Sequence, residues 1–154
     1  VDFLQPENFN LTYVASSGQK ERPVVIHQAI YGSLERFFAI LLEHHKGKLP
    51  FWLAPEQIRV LPITDEHVSY AHNIYKTLRE KEIRVDIDTS SDPISGKIKA
   101  AQQDKVPWML VIGADEVANE TVTVRYRDGK QEKDVSYREL EEKVTSAMPD
   151  VTQL

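Results

Sequence analysis

The chain has 154 residues, of which 41% are hydrophobic and 28% are charged, and its formal net charge is −5. This length suits one ordinary domain or two small ones, and the composition is typical of a globular protein with a modest core. The absence of cysteine excludes a disulfide framework, a thiolate nucleophile and thiolate metal sites. The acidic balance argues against a general nucleic-acid coat but leaves room for a local basic patch. The apolar runs are shorter than the roughly 20 residues of a membrane span, so we expect no membrane insertion.

The amino terminus resembles the interior of a longer chain. It opens as Val1-Asp2-Phe3-Leu4, an apolar alternation without an initial Met or a polar lead-in. It also lacks the basic and apolar regions of a secretory signal. We therefore expect a fragment or a processed chain.

The first third of the chain predicts a strand pair followed by one helix. Alternation at 9–14 and the β-rich run at 23–27 predict two strands around a turn. The spacing at 31–46 predicts a helix that ends at Gly47, the expected C′ residue. Its apolar stripe, expected to pack against a core, consists of Leu34, Phe37, Phe38, Leu41 and Leu42. The prolines that flank the run at 50–55 predict an extended connection.

Beyond this connection, short apolar runs alternate with helical patterns. The predicted strands are 58–63, 84–88, 106–112, 121–127 and 133–135, and the predicted helices begin near Thr64, Ile94 and Ser136. Asp128-Gly129 indicates a hairpin between the last two strands, and Ser136 with Glu139 fits a capping box. The sequence therefore predicts an α/β fold with a mixed, largely parallel sheet flanked by helices, and with a hairpin at one edge. An antiparallel strand pair and a helix precede it.

One face of the first predicted helix carries groups that suit ligand binding. Ser33 and Arg36 lie opposite the apolar stripe, and Gly32 permits close approach of another surface. Arg36 offers a planar cation that can hold a phosphate with two hydrogen bonds. His27 ends the preceding predicted strand, so we expect it to face the same cleft. A solvated outer face of an ordinary helix remains the alternative.

The stretch from Arg22 to Phe37, together with 50–55, resembles the third conserved motif of class II threonyl-tRNA synthetases and the linker after it. The histidine nine residues before the arginine, with a serine between them, is the part of the motif that resembles the threonine enzymes specifically. The resemblance continues to about Ala147 and covers nearly the whole chain. It implies that residues 1–54 are the C-terminal remnant of a class II catalytic domain and that residues 55–154 are an anticodon-binding domain.

The resemblance also implies roles for three residues of the first part. Arg36 matches the arginine that holds the ATP phosphates, and Ser33 matches a residue of the threonine pocket. His27 matches a zinc ligand whose companion ligands, a Cys and another His, lie upstream in the family. Zinc, ATP and Mg²⁺ are therefore expected in the full-length enzyme, a homodimer that activates threonine and charges its tRNA. Because a stable zinc site needs three or four protein ligands, we expect the isolated chain to hold no zinc tightly and to be inactive.

In the second part, the resemblance implies that Glu116 and Arg125 contact the anticodon stem-loop of threonine tRNA. It implies two further contacts at positions where this chain differs from the family: Ser91 stands where the family usually has Asn, and Lys105 stands where Arg is common. A carboxylate can accept from base amino groups, and an arginine can donate to a guanine edge. A positive surface is also possible near these positions, and it would consist of Lys97, Lys99, Lys105, Arg125, Arg127 and Lys130. Interleaved acidic residues leave a mixed solvated surface as the alternative.

These observations predict the C-terminal part of a threonine–tRNA ligase of the cytoplasm. A free-standing RNA-binding or regulatory module that reuses the fold is the alternative from a different functional class. The retention of His27, Ser33 and Arg36 argues against it, since a pure binding module needs neither a cation for ATP phosphates nor a threonine pocket. A fragment of a prolyl- or histidyl-tRNA synthetase is a second alternative, but it would lack the histidine that matches His27.

Overall fold

A computed structural model describes residues 1–149, so the last five residues of the predicted 55–154 domain lie outside the described residues. Contacts divide the chain into a unit of residues 1–41 and a second unit that begins at Leu42. Within residues 1–149, no helix has both the length and the apolar character that crossing a membrane requires.

The first unit contains little regular structure. Its elements are helix α1 (Leu4–Asn8), the two-residue strands β1 (Tyr13–Val14) and β2 (Lys20–Glu21), and the greater part of helix α2 (Leu34–His44). The Asp2 carboxylate caps α1 by accepting the N–H groups of Leu4 and Gln5 at 2.9 and 3.0 Å.

The predicted strands of this unit were largely wrong. At 9–14 only the last two residues form a strand, which pairs antiparallel with β2. At 23–27 no strand forms, because Val25 makes only a single bridge, to Asp2. An alternating pattern favours an extended backbone, but a strand persists only where a neighbouring strand satisfies its N–H and C=O groups.

Helix α2 is confirmed within the predicted range, although it ends differently. Lys46, with a φ of +51°, occupies the C′ position, and Gly47 follows it as C″. The N–H of Lys46 donates to Glu43, and that of Gly47 donates to Leu42, which completes a Schellman motif. The expected packing of the apolar stripe is not observed, since no residue of α2 is buried. Tyr31, Phe37 and Phe38 instead contact one another at the start of the helix.

The second unit is built on a mixed five-stranded sheet, as the sequence predicted. Its strands are β3 (Ile58–Pro62), β4 (Val85–Ile87), β5 (Trp108–Ile112), β6 (Thr121–Tyr126) and β7 (Gln131–Ser136). The order is β4-β3-β5-β6-β7. Strand β3 pairs parallel with β4 and β5, whereas β6 pairs antiparallel with β5 and β7.

Helices cover the sheet unequally. Helices α3 (Val68–Glu80) and α6 (Tyr137–Ala147) pack on one face, where the main core includes Ile58, Val60, Leu110, Val122 and Val124. Helix α4 (Ile94–Gln103) covers Leu61 and Met109 on the opposite face. Side chains alternate between faces along a strand, so Thr123 and Arg125 lie on the side of α4, not in the main core.

The structure also differs from the sequence prediction in the run at 50–55 and in one short helix that was not predicted. The run at 50–55 contains one 3-10 turn, Phe51–Leu53, between extended residues Pro50 and Ala54. Short helix α5 (Ala114–Asn119) was not predicted, because six residues are too few to show a helical apolar period. The capping box of α6 is confirmed: the Ser136 hydroxyl accepts the Glu139 N–H at 3.3 Å, and the Glu139 carboxylate accepts the Ser136 N–H at 2.9 Å.

Candidate nucleic-acid interface

The carboxyl ends of β3 and β5 lie side by side in the sheet, because Leu61 pairs with Val111 and Pro62 with Ile112. In an open sheet with parallel strands, the loops that leave neighbouring carboxyl ends frame a crevice where ligands bind. Glu116 lies in α5, directly after β5, and Ser91 lies in the loop after β4. The topology therefore assigns two of the predicted RNA-binding residues to this edge, which we call the carboxyl edge.

Glu116 is held by hydrogen bonds at both carboxylate oxygens. The N–H of Gly113 donates to Oε2 at 2.8 Å, and the Thr123 hydroxyl donates to Oε1 at 2.6 Å. Burial alone would raise the pKa of Glu116, but the hydrogen bonds from Thr123 and Gly113 outweigh it, and with Lys133 nearby the pKa is lowered. Glu116 is thus an ionised acceptor of fixed orientation.

Arg125 lies two residues beyond Thr123 on the same face of β6, opposite Met109 of β5 and Gln131 of β7. The side chain is half-buried, and its Nε has no hydrogen-bond partner among residues 1–149. A buried guanidinium N–H without a partner is costly, and because this atom is not exposed, an acceptor from outside the chain reaches it only if the side chain moves. Thr123, two residues before Arg125 on this face of β6, is the residue that is hydrogen-bonded to Glu116.

Ser91 is exposed and lines a cavity of about 220 Å³ at the carboxyl edge, together with Thr64 and Asp65. Lys97, which also lines it, is only 3% exposed. The Lys97 ammonium donates to the carbonyl oxygens of Pro62 at 3.1 Å and Asp88 at 3.2 Å. Lys97 therefore joins the ends of β3 and β4, and sequence reasoning placed it only in a surface patch.

Lys105 lies at the other edge of the sheet from Ser91 and Glu116. It lies between α4 and β5, at the edge where β5 begins, and its ammonium donates to the Lys46 carbonyl at 3.4 Å. Arg127 lies at the same edge, where its guanidinium donates to the carbonyls of Lys48, Leu49 and Lys105. This edge, which we call the amino edge, is opposite Ser91 and Glu116.

The basic patch considered from the sequence is only partly present. Lys97 is buried, and the Arg127 guanidinium already donates hydrogen bonds to backbone carbonyls. Lys130 forms an ion pair with Glu132 at 3.5 Å. Lys99 is exposed and Arg125 is half-buried, on the side of the sheet that α4 covers. The surface is thus closer to the mixed alternative.

In the first unit, Ser33 and Arg36 lie at the start of α2. The Ser33 hydroxyl accepts the Arg36 N–H at 3.5 Å and donates to Glu35 at 2.7 Å, and that hydrogen bond lowers the pKa of the Glu35 carboxyl. The Arg36 side chain is exposed and forms no hydrogen bond or ion pair with the described residues. In this structure the Ser33 hydroxyl caps the N-terminus of α2.

His27 contacts Asp2, with Nε2 3.0 Å from the carboxylate. Within residues 1–149, no hydrogen bond joins His27 to Ser33 or Arg36, so the structure does not assemble these three into one contact network. The pKa of Asp2 is lowered, first by the Gln5 N–H and then by His27. No cluster of three or more His, Asp or Glu side chains that could hold a metal occurs in the described part of the chain. The residues present therefore do not by themselves fit a zinc ion, which takes three or four protein ligands.

Two residues of the second unit, Thr123 and Lys97, were missed by sequence reasoning as parts of the carboxyl edge. The spacing of Gly113 and Glu116 is typical of a helix start, in which the side chain of the N3 residue accepts the N–H of the N-cap residue. No local pattern indicated that Thr123, on another strand, completes this arrangement.

The chain matches the family model described as "Anticodon binding domain" over residues 57–147. It is 48% identical over 151 residues to a threonine–tRNA ligase of Natranaerobius thermophilus, covering 98% of this chain and 24% of that protein. It is also 53% identical over 127 residues to a threonine–tRNA ligase catalytic subunit of Sulfolobus acidocaldarius, covering 82% of this chain and 23% of that protein. The chain thus spans about a quarter of the length of these curated relatives.

The fold is similar to that of solved structures. The RNA binding domain of threonyl-tRNA synthetase from Cryptosporidium parvum superposes with a TM-score of 0.78 at 40% identity, covering 98% of this chain and 39% of that chain. Prolyl-tRNA synthetase from the same organism shares the fold, with a TM-score of 0.61 at 20% identity, over 92% of this chain and 30% of that chain. Since the family model matches more than half of the sequence, on a sheet of the same fold, this chain belongs to the anticodon binding domain family.

Proposed function

We propose that this chain is the C-terminal part of a threonine–tRNA ligase and that its second unit binds the anticodon stem-loop of threonine tRNA. The observation that carries the proposal is the similarity to threonine–tRNA ligases over 98% of the chain. The whole protein would activate threonine with ATP and transfer it to its tRNA. The isolated chain, which spans about a quarter of those relatives, would be inactive.

The proposed domain organisation assigns residues 1–54 to the end of a class II catalytic domain and residues 55–154 to the anticodon-binding domain. The start of the family match at residue 57 supports this boundary, although the compact units divide earlier, at Leu41. The similarity that extends through residues 1–54 also supports a ligase over a free-standing RNA-binding module. Such a module needs no part of a catalytic domain.

The proposed RNA contacts combine an acceptor and a donor. RNA sequence is read mostly on unstacked bases of loops, whose edges offer both amino groups and carbonyl oxygens. Glu116, an ionised acceptor, and Arg125, whose half-buried guanidinium is a donor, supply the two complementary functions. Thr123 is hydrogen-bonded to Glu116 and lies two residues before Arg125 on the same face of β6, which supports the action of Glu116 and Arg125 on one base or on two neighbouring bases.

Ser91 and Lys105 are proposed as further RNA contacts, one at each edge of the sheet. Strand β5 has five residues, so the two edges are roughly 13 Å apart at about 3.3 Å per residue. An RNA loop of several nucleotides is long enough to reach both. We propose that the Ser91 hydroxyl contacts a base or ribose and that the Lys105 ammonium contacts a phosphate.

For the full-length protein we propose that Arg36 holds the ATP phosphates and that Ser33 lines the threonine pocket. The exposed guanidinium of Arg36, which has no partner among residues 1–149, supports a role in binding an anion. His27 would contribute one zinc ligand, with the others supplied from outside residues 1–149, and zinc would orient the bound amino acid. ATP and Mg²⁺ would be the other cofactors. A homodimer in the cytoplasm is proposed on the resemblance to the family alone.

The proposal is tested by titrating the chain with anticodon stem-loops of threonine tRNA and of proline tRNA at two salt concentrations. We expect tighter binding of the threonine stem-loop and a loss of that preference of about tenfold in Arg125→Ala, because one arginine–base contact is removed. Lys105→Gln should weaken both complexes and reduce the salt slope by about one. Arg138→Ala is the matched control, since Arg138 is exposed on α6 and paired with Glu142. Equal binding of both stem-loops would contradict the proposed function.

A further inference from the structure

A single hydroxyl links the helix that carries Glu116 to the strand that carries Arg125. The Thr123 side chain is only 6% exposed, and it donates to Glu116 Oε1 at 2.6 Å. The other oxygen of Glu116 accepts the Gly113 N–H at 2.8 Å, within its own helical turn. Without Thr123 the carboxylate would be attached only to α5.

The distance between the backbone positions of Thr123 and Arg125 is fixed, because both residues lie on one face of one strand. Thr123 pairs with Val111 and Arg125 with Met109 of β5, so the backbone between them is fixed by the sheet. Successive residues on one strand face are separated by about 6.6 Å. The hydroxyl therefore fixes the distance between the carboxylate of Glu116 and the strand from which Arg125 extends.

The geometry points to Thr123 as a positioning residue for base recognition: we propose that its hydroxyl holds Glu116 at the spacing from Arg125 that the anticodon loop requires. This inference rests on the proposed function. Thr123 would not contact RNA itself, since its hydroxyl is occupied and its side chain is buried. A carboxylate can accept about four hydrogen bonds, so the two already made leave acceptor capacity for a base.

The positioning role follows from the entropy that the Glu116 carboxylate would lose on binding a base if it were free to rotate. A carboxylate held at both oxygens loses little orientational freedom when a base binds, whereas a freely rotating one must be ordered at that moment. Removal of the hydroxyl therefore lowers discrimination between bases more than it lowers the attraction to phosphates. Phosphate attraction depends on charge, which the substitution of Thr123 by an uncharged residue does not change.

The test compares Thr123→Val, which is nearly isosteric and lacks the hydroxyl, with Thr123→Ser, which keeps it. Each variant of the full chain is titrated with the threonine anticodon stem-loop and with loops in which one anticodon base at a time is replaced. We expect Thr123→Val to reduce the preference for the unsubstituted loop about fivefold to tenfold, the scale of one typical intramolecular hydrogen bond. Thr123→Ser should retain it, and the salt slope should be equal in all three proteins.

A second measurement separates this proposal from the proposed function. Titration of the Glu116 carboxyl by NMR in the free protein needs no RNA, and its pKa should rise in Thr123→Val but not in Thr123→Ser. If the unmodified chain shows no preference among loops, the RNA-binding function fails, and with it the role of Thr123 in reading bases. If Thr123→Ser loses as much preference as Thr123→Val, or if Thr123→Val keeps all of it, the positioning role alone is overturned. Thermal unfolding of each variant shows whether a loss of preference reflects loss of the fold.

Discussion

The ammonium of Lys97 is buried at the carboxyl end of β3, where it donates a hydrogen bond to the carbonyl oxygen of Pro62 at 3.1 Å. A second hydrogen bond, to the Asp88 carbonyl at 3.2 Å, ties the loop after β4 to the same point. Burial of a lysine is unusual, and here its long stem also crosses from α4 to the sheet. Lys97 therefore stabilises the carboxyl edge that carries the proposed recognition residues.

Removal of this ammonium should destabilise the second unit. Lys97→Met keeps most of the stem but leaves two carbonyl oxygens without their donor, and we expect the free energy of unfolding to fall by about 2–4 kcal/mol. Urea denaturation followed by circular dichroism measures the change. Lys99→Met, the same substitution at an exposed position of the same helix, should stay within about 0.5 kcal/mol of the original chain. Equal stability of the Lys97 variant would show that water replaces the ammonium.

Glu116 should make the stability of the chain depend on pH in the acidic range. Its pKa in the folded state is lowered from 4.5, so its contribution is fully present above about pH 4.5 and is lost as the pH falls through the folded-state pKa. Lys133 favours the ionised form, and the nearby Tyr70 is neutral throughout this range. The Glu116→Gln variant should lack this pH-dependent contribution to the free energy of unfolding. We expect the contribution to be smaller than about 1 kcal/mol, since solvent screens a partly exposed carboxylate.

The measurement is the free energy of unfolding between pH 6 and pH 3 for the original chain and for the Glu116→Gln variant. Asp115→Asn is the matched control, because Asp115 lies in the same turn but is exposed. The original chain should lose stability more steeply than Glu116→Gln, and Asp115→Asn should follow the original chain. Parallel curves for all three proteins would contradict the assigned hydrogen bonds.

The isolated chain should not retain zinc. His27 contacts Asp2, and no third ligand completes a site within residues 1–149, so any bound zinc would have fewer protein ligands than a stable site requires. Elemental analysis after dialysis against a metal-free buffer should give much less than one zinc per chain, and the same value for His27→Ala. One tightly held zinc per chain that disappears in His27→Ala would refute this prediction.

Local sequence patterns predicted the second unit well and the first unit poorly. The Ser136–Glu139 capping box and the Asp128-Gly129 hairpin depend on groups a few residues apart, so the sequence contains all the information they need. The run at 23–27 has equally clear β character, but it found only Asp2 as a partner. Whether an extended segment becomes a strand depends on neighbours that are distant in sequence.

The candidate site shows the same division. Residue types and their resemblance to a family indicated Glu116 and Arg125, and the structure brings both to one side of the sheet. Lys105 lies at the opposite edge, because it precedes β5 whereas Glu116 follows β5; the sequence shows this order but not which strands lie beside β5.

The sequence by itself determined the mixed α/β class, the order of the five strands and three longer helices of the second unit, and the family that its motifs indicated, because periodicity, caps and turns are local properties. Only the tertiary structure decided that the Thr123 hydroxyl holds Glu116, that Lys97 is buried at the carboxyl edge, and that no side chain of α2 is buried. Those facts depend on which strands lie next to each other and on which surfaces find a partner. Such relations arise between residues far apart in the chain, where no local pattern records them.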